Sequence, residues 1–329
     1  MKNKKYTIIT PAYNEAQLLP LVIQSIVEQT ELPEEWIIVD DRSTDNTWDV
    51  ITEAAKKYSF IRPVFLSGDK TRRLGANVVY VFDEGYKQLS NPSFDFIVKM
   101  DADSVLPKQY FEQLLDQFED DPQLGMASGK TFILEKDVWL MERCPDMHVM
   151  GACKMYRRSC FKDIGGFIPI LGWDKLDCAK ARMEGWKTRS FGELPIYHLR
   201  QMGSEMGMSK TYASYGKSSY YLREHPLFVV GRAIYRAIER PYCSSFFMIW
   251  GYIIAQVKRE KRLEDLELAN FFRKEQLKRI FGANLKDEQI VPSRISLQES
   301  PTILANFEKN NADNTSTNQN NAKQKNTGK

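Results

Sequence analysis

The chain has 329 residues, 43% of them hydrophobic and 27% charged, the balance of a globular protein rather than a disordered or membrane-embedded one. A net charge of only +3 gives no molecule-wide field for nucleic acid, so no nucleic-acid partner is expected. The five cysteines include no C-x-x-C pair, which argues against a disulfide framework, and Cys144, His148, Cys153 and Cys160 follow no zinc-finger or zinc-ribbon spacing.

Met1 to Lys5 lead straight into an apolar run, with no stretch of signal-peptide length before it, so residence in the cytoplasm is expected. Strand-like runs at 5–10, 36–40, 61–66 and 94–100 alternate with helix-like stretches at 16–28, 44–58 and 75–89. Ser43 or Thr44 is read as the cap of the second helix, with Asp45 in its first turn. This alternation predicts a mostly parallel α/β sheet joined by right-handed crossovers. A helix at 108–120 and a strand at 124–132 extend the pattern, 134–169 reads as irregular, and a helix is expected at 175–184.

From residue 206 the character turns helical, and residues 200–280 hold 15 Lys/Arg against 8 Asp/Glu. The apolar run Phe246 to Ala255 is too short to span a bilayer, which needs about 20 apolar residues. It is read either as a buried docking helix or as an interfacial one whose basic flank, Lys258 to Arg262, meets anionic lipid. The stretch 306–329 is rich in Asn, Lys, Thr and Gln and reads as a disordered tail. The expected organisation is a catalytic domain at 1–205, a helical basic extension at 206–290, and a linker with low-complexity tail at 291–329.

In an open parallel sheet, ligands bind beyond the carboxyl ends of the strands. Four polar termini are expected there: Pro11-Ala12-Tyr13-Asn14-Glu15, Asp40-Asp41-Arg42-Ser43, Ser67 to Arg73, and Asp101-Ala102-Asp103. Two carboxylates at i and i+2 suit a hard divalent cation, Mg²⁺ or Mn²⁺, whose shell is completed by the oxygens of a diphosphate. There is no G-x-G-x-x-G after the first strand and no P-loop, so neither a dinucleotide site nor a P-loop nucleotide site is supported.

The first two of these turns, in their order and spacing ahead of a D-x-D, resemble the family 2 glycosyltransferases, inverting enzymes of the GT-A fold; the likeness covers about residues 5–200. The resemblance implies that Pro11, Ala12, Tyr13 and Glu15 border the nucleotide base and ribose, and that Asp41 reads the base edge. It implies diphosphate and sugar contacts within Arg72 to Asn77, the ribose or sugar side of the D-x-D at Asp101 and Ala102, and the metal at Asp103 with Asp101. His198 and Arg200 fall where related enzymes draw a metal or diphosphate ligand from a mobile loop. Gly172-Trp173-Asp174 aligns with the family's Glu-Asp pair, so Asp174 is the expected catalytic base; Trp173 replaces the usual Glu, and Asp177 is the fallback.

The activity so implied is transfer of a sugar from a nucleotide-sugar, UDP-linked, to a saccharide or lipid-linked acceptor, with peripheral contact to an anionic membrane. Two other readings stay open. A sugar-nucleotidyltransferase would need a Gly-rich basic loop after the first strand, which Pro11 to Glu15 is not. A non-catalytic sugar-binding or scaffold relative would be favoured by loss of Asp103 or Asp174, and both are present.

Overall fold

Strands that are apolar at nearly every position leave no face for water, and three of the first four strands are of this kind. They are β1 (Tyr6–Ala12), β2 (Glu35–Asp40) and β4 (Phe96–Met100), each buried along almost its whole length, with β3 (Ile61–Phe65) as the more open edge. The computed structural model describes residues 4–68, 77–91, 93–135, 138–142, 144–170, 172–200, 207–238, 243–281, 294–296 and 304. Alternate side chains enter opposite layers: Ile8, Trp36, Ile38 and Val98 face one cluster, Ile9, Ile37, Val39 and Ile97 the other. Helices α1 (Leu19–Val27) and α2 (Thr47–Lys57) contribute Val22, Ile26 and Ile51 to the first cluster, and α3 (Asn77–Lys87) contributes Val79, Val81 and Phe82 to the second. At Gly85 of α3 a Cβ would come within 2.8 Å of Ile9 and Val39, so only glycine lets this helix settle on the sheet.

The parallel strands lie in the order β3-β2-β1-β4. Growth of the sheet reverses between β1 and β4, which opens a crevice at their carboxyl ends.

Helix α2 starts at Thr47 rather than at residue 44, because Asp45 turns back to accept a hydrogen bond from the Thr47 amide at 3.0 Å and holds 43–46 as a turn. The stretch 134–169, expected to be irregular, is largely regular. After β5 (Ser104–Val105), α4 (Tyr110–Asp120) and β6 (Leu124–Glu135) come β7 (Val138–Met141), β8 (Cys153–Arg157) and α5 (Arg158–Asp163). β8 inserts antiparallel between β4 and β6, so the sheet is mixed. Its charged positions Lys154 and Arg157 concealed it in the sequence.

Next come α6 (Trp173–Met183) and β9 (Lys187–His198), a twelve-residue strand parallel to β6 that also pairs with β5. His198 therefore ends a strand, opposite Ser104, and is not on a loop.

The helical region consists of α7 (Met208–Tyr221), α8 (Pro226–Ile238), α9 (Ser244–Val257) and α10 (Leu266–Ile280). A Cβ on Gly216 would strike the backbone of α9 at Met248, and one on Gly251 the backbone of α7 at Ala213. The two helices thus touch backbone to backbone. Met248, Gly251 and Ala255 of the apolar run are buried, whereas Phe246, Trp250, Ile253 and Val257 are exposed. Among the described residues, no helix is long and apolar enough to cross a membrane. Within the stretch expected to be linker, β10 (Arg294–Ser296) pairs with β7 and Leu304 enters the first core cluster. The expected tail at 306–329 lies outside the described residues.

Candidate active site

The turns after β1 and β2 interlock. The Asp41 amide donates to the Ala12 carbonyl at 2.8 Å, the Asn14 amide to Ser43 Oγ at 2.9 Å, and the Glu15 amide to Thr47 Oγ1 at 2.8 Å. Asn14 and Arg42 each take a left-handed backbone, with φ of 55° and 60°. Asparagine tolerates that region; for arginine it is a strain on the order of 1 kcal/mol, held by the pairing of its guanidinium with Asp41. The second oxygen of Asp41 accepts from Asn77 Nδ2 at 2.7 Å, which joins the start of α3 to the rim. Glu15 lies in a two-point pair with Arg200, at 3.0 and 2.6 Å. Pro11, Ala12, Tyr13, Glu15, Asp41, Asn77 and Arg200, far apart in sequence, thus meet or adjoin along one rim. Arg72 and Arg73 lie outside the described residues.

The D-x-D follows β4 at the switch point. The Asp101 amide donates to the Ala152 carbonyl at 2.8 Å, and the Lys99 ammonium pairs with the Asp101 carboxylate while donating to the Gly151 carbonyl at 2.8 Å. The pairing of β5 with β9 brings His198 Nε2 to 3.2 Å from Asp103 Oδ1. One ligand atom from each of Asp101, Asp103 and His198 can be chosen so that all lie within 4.8 Å of one another. Burial pushes the Asp101 carboxyl up. For Asp103 burial is outweighed by the hydrogen bond and charge of His198, then by Arg200 and Lys99, and its carboxyl is held down. Burial alone would lower the His198 pKa, but Asp103 and Asp101 push it up to about 9. His198 Nδ1 is buried with no hydrogen-bond partner among the described residues. Two carboxylates and an imidazole on a closed rim fit a divalent cation.

Asp174 is held close to this group. A Cβ placed on Gly151 would lie 3.6 Å from the Trp173 ring and 3.7 Å from the Asp174 Cβ. The segment 151–152 therefore has Asp101 bonded to one residue and α6 against the other. Trp173 takes up the place of a carboxylate with its ring face: the Lys99 and Lys154 ammoniums each lie 5.4 Å from its centroid. For Asp174, burial is outweighed by His148, Lys154 and Lys175, and the carboxyl falls well below the usual range. Asp177 is otherwise engaged. It is 1% exposed, accepts from Lys154 Nζ at 2.7 and 2.9 Å and from the Cys178 amide at 2.6 Å, and is bonded by the Tyr156 hydroxyl. With its oxygens so occupied it cannot reach an acceptor, and the fallback base is set aside.

Residues 7–165 match the profile of the family described as Glycosyl transferase family 2. They are a family 2 glycosyltransferase domain. The chain is 23% identical over 204 residues to a poly-beta-1,6-N-acetyl-D-glucosamine synthase of Staphylococcus epidermidis, covering 56% of this chain and 46% of that protein. It is 33% identical over 123 residues to an undecaprenyl-phosphate 4-deoxy-4-formamido-L-arabinose transferase of Yersinia enterocolitica, covering 36% and 35%. The chain thus spans less than half the length of these relatives. Among solved structures, residues 1–349 of Staphylococcus aureus TarS in complex with UDP-GlcNAc superpose with a TM-score of 0.52 at 14% identity, over 91% of this chain and 97% of that one. The mannosyltransferase PcManGT of Pyrobaculum calidifontis, in complex with GDP-Man and Mn²⁺, gives 0.50 at 16% identity, over 87% and 88%. The fold is GT-A.

Two residues of the site, Lys99 and Lys154, went unread in the sequence, and His148 was weighed there only as a zinc ligand. A lysine inside an otherwise apolar strand, as in Ile97-Val98-Lys99-Met100, was the available signal for the first, since buried ammoniums need a partner. Lys154 and Asp177 are 0% and 1% exposed, so removing one charge strands the other. Lys154→Met is expected to cost about 3–5 kcal/mol of stability in urea unfolding. Lys154→Met with Asp177→Leu should recover much of that loss.

Proposed function

We propose that the chain is an inverting glycosyltransferase that moves a sugar from a nucleoside-diphosphate donor, UDP-linked, to a saccharide or lipid-linked acceptor. The observation that carries this reading is the meeting of Asp101, Asp103 and His198 with Asp174 across the single segment 151–152. Bound at the three ligands, Mn²⁺ or Mg²⁺ would offset the charge that develops on the departing diphosphate; the imidazole favours Mn²⁺, the more tolerant of nitrogen. Arg200, whose charge bears on Asp103, would meet the same diphosphate, and Asp41 would exchange Asn77 for an N–H of the base edge such as that of uracil. The proton of the acceptor hydroxyl leaves on the Asp174 side as its oxygen bonds to the anomeric carbon and the bond to the diphosphate breaks. The likeness to a poly-beta-1,6-N-acetyl-D-glucosamine synthase and to an undecaprenyl-phosphate 4-deoxy-4-formamido-L-arabinose transferase supports a saccharide or lipid-linked acceptor.

The exposed stripe of α9, Phe246, Trp250, Ile253 and Val257 at i, i+4, i+7 and i+11, supports contact with an anionic membrane on the cytoplasmic side. Exposed Leu227, Val230 and Ile234 of α8 add to it, and residues 226–262 carry seven Lys/Arg against two Asp/Glu. Such a face would bring a lipid-linked acceptor to the enzyme.

Three measurements test these assignments. Calorimetric titration with UDP and Mn²⁺ should show metal-dependent binding that Asp103→Ala abolishes while its circular dichroism stays native; unchanged affinity would remove the metal site. Nucleotide release from a panel of sugar donors should fall at least about 10²-fold in Asp174→Asn, with donor affinity retained. Co-sedimentation with vesicles should rise with the phosphatidylglycerol fraction, fall with salt, and weaken when Lys258, Arg259 and Lys261 become Gln. No sedimentation at low salt would leave the stripe without a membrane role.

A further inference from the structure

His148 lies outside every motif that the family resemblance supplies, yet its Nε2 stands 3.5 Å from Asp174 Oδ2, and both side chains are partly open to solvent, at 21% and 30%. The segment that presents it is fastened on several sides. Lys130 bonds the Cys144 carbonyl and the Asp146 carboxylate, each at 2.7 Å, and the Ser190 amide donates to the Asp146 carbonyl at 2.6 Å. The Met147 carbonyl accepts from Thr188 Oγ1 at 2.7 Å and Arg182 at 3.0 Å, and the Met150 amide donates to Ser128 Oγ at 2.9 Å. Strands β6 and β9 and helix α6 together hold the residues on either side of the imidazole. This is the support expected of a side chain whose position matters.

We propose that the base of the transfer is the His148–Asp174 pair, with the acceptor's proton coming to rest on the imidazole. The inference rests on the glycosyltransfer reading above. In the step, the acceptor oxygen forms its bond to the anomeric carbon, the carbon–oxygen bond to the diphosphate breaks with its electron pair, and the hydroxyl proton passes to the pair. Asp174 orients the ring and stabilises the imidazolium, as carboxylate partners of catalytic histidines do. A carboxylate crowded by His148, Lys154 and Lys175 is a weak base at neutral pH, and a neutral imidazole is a far better match. The groups facing His148 are Asp174 and Cys178 from α6. Lys154 of β8 is bonded to the Asp174 carbonyl and to Cys178 Sγ, Lys175 bears on Asp174, and in the His148 segment itself Asp146 is turned to Lys130. Burial lowers the His148 pKa, Asp174 and Cys178 raise it, and the net shift is upward.

The working form is the neutral imidazole, so kcat/KM should rise with pH through an inflection above the ordinary histidine value of about 6.5. In His148→Gln that inflection should move below about pH 5, into the carboxylate range, with a loss on the order of 10²-fold at neutral pH. The readout is nucleotide release from a panel of UDP-hexoses with water as acceptor.

Proton NMR supplies the second arm, since the chain has only three histidines and His148→Gln identifies the resonance. The His148 ring should titrate above its ordinary value and return toward it in Asp174→Asn. A titration unmoved by Asp174→Asn overturns the pairing, and an unaltered pH profile in His148→Gln overturns the proton's destination. Absence of nucleotide release from the unmodified chain with every donor removes the glycosyltransfer reading and the base with it; the NMR result tells the two failures apart.

Discussion

Under the site, an ammonium and a carboxylate are both removed from water. Lys154 projects from the antiparallel strand β8, Asp177 from α6, and the pair is closed by Tyr156 and the Cys178 amide. Burying two charges costs several kcal/mol each, and only full hydrogen bonding brings the total near balance. The return is positional. Lys154 also holds the Asp174 carbonyl, so the first turn of α6 is fixed to the central sheet, and with it the Asp174 carboxylate. Lys99 acts in the same way one strand over, joining Asp101 to the Gly151 carbonyl. Two lysines within the sheet thus set the separation between the Asp101–Asp103–His198 group and Asp174.

The helical region completes that arrangement from outside. Leu176 and Ala179 of α6 pack with Leu222, Leu263, Leu268 and Phe272, and Arg182 makes a two-point pair with Glu275 of α10, both distances 2.7 Å. α7 closes on the start of α6, where a Cβ on Gly172 would lie 2.6 Å from Ser218 Oγ. The helix that bears Asp174 is therefore clamped between the sheet and the extension, and the extension is part of the site's support.

What the sequence made legible follows from how locally each feature is encoded. The buried parallel strands announce themselves as continuous apolar runs, and the polar turns that follow them stood out for the same reason. β8 did not, because Lys154 and Arg157 interrupt its pattern and their partners are 23 and 33 residues away in the chain. β9 was missed for a related cause: exposed Lys187, Arg189 and Glu193 break its apolar pattern, and its pairing with β5 is a tertiary event. His198 and Arg200 were legible by resemblance, but the strand that ends at His198 was not. His148 had only its residue type to mark it, since the contact with Asp174 depends on a fold-back that no short window of sequence encodes.

Among the described residues, cations along the rim face carboxylates: Arg42 with Asp41, Lys99 with Asp101, His198 with Asp103, and Arg200 with Glu15. Occupation of such a rim is an exchange of partners rather than the filling of a charged hole. A bare phosphate that drew Arg200 away would break its pair with Glu15, and part of the gain would cancel. A ligand that arrives as a metal–diphosphate brings positive and negative charge together, so the displaced acids and bases each find a replacement. A rim so paired responds to charge balance as well as to shape.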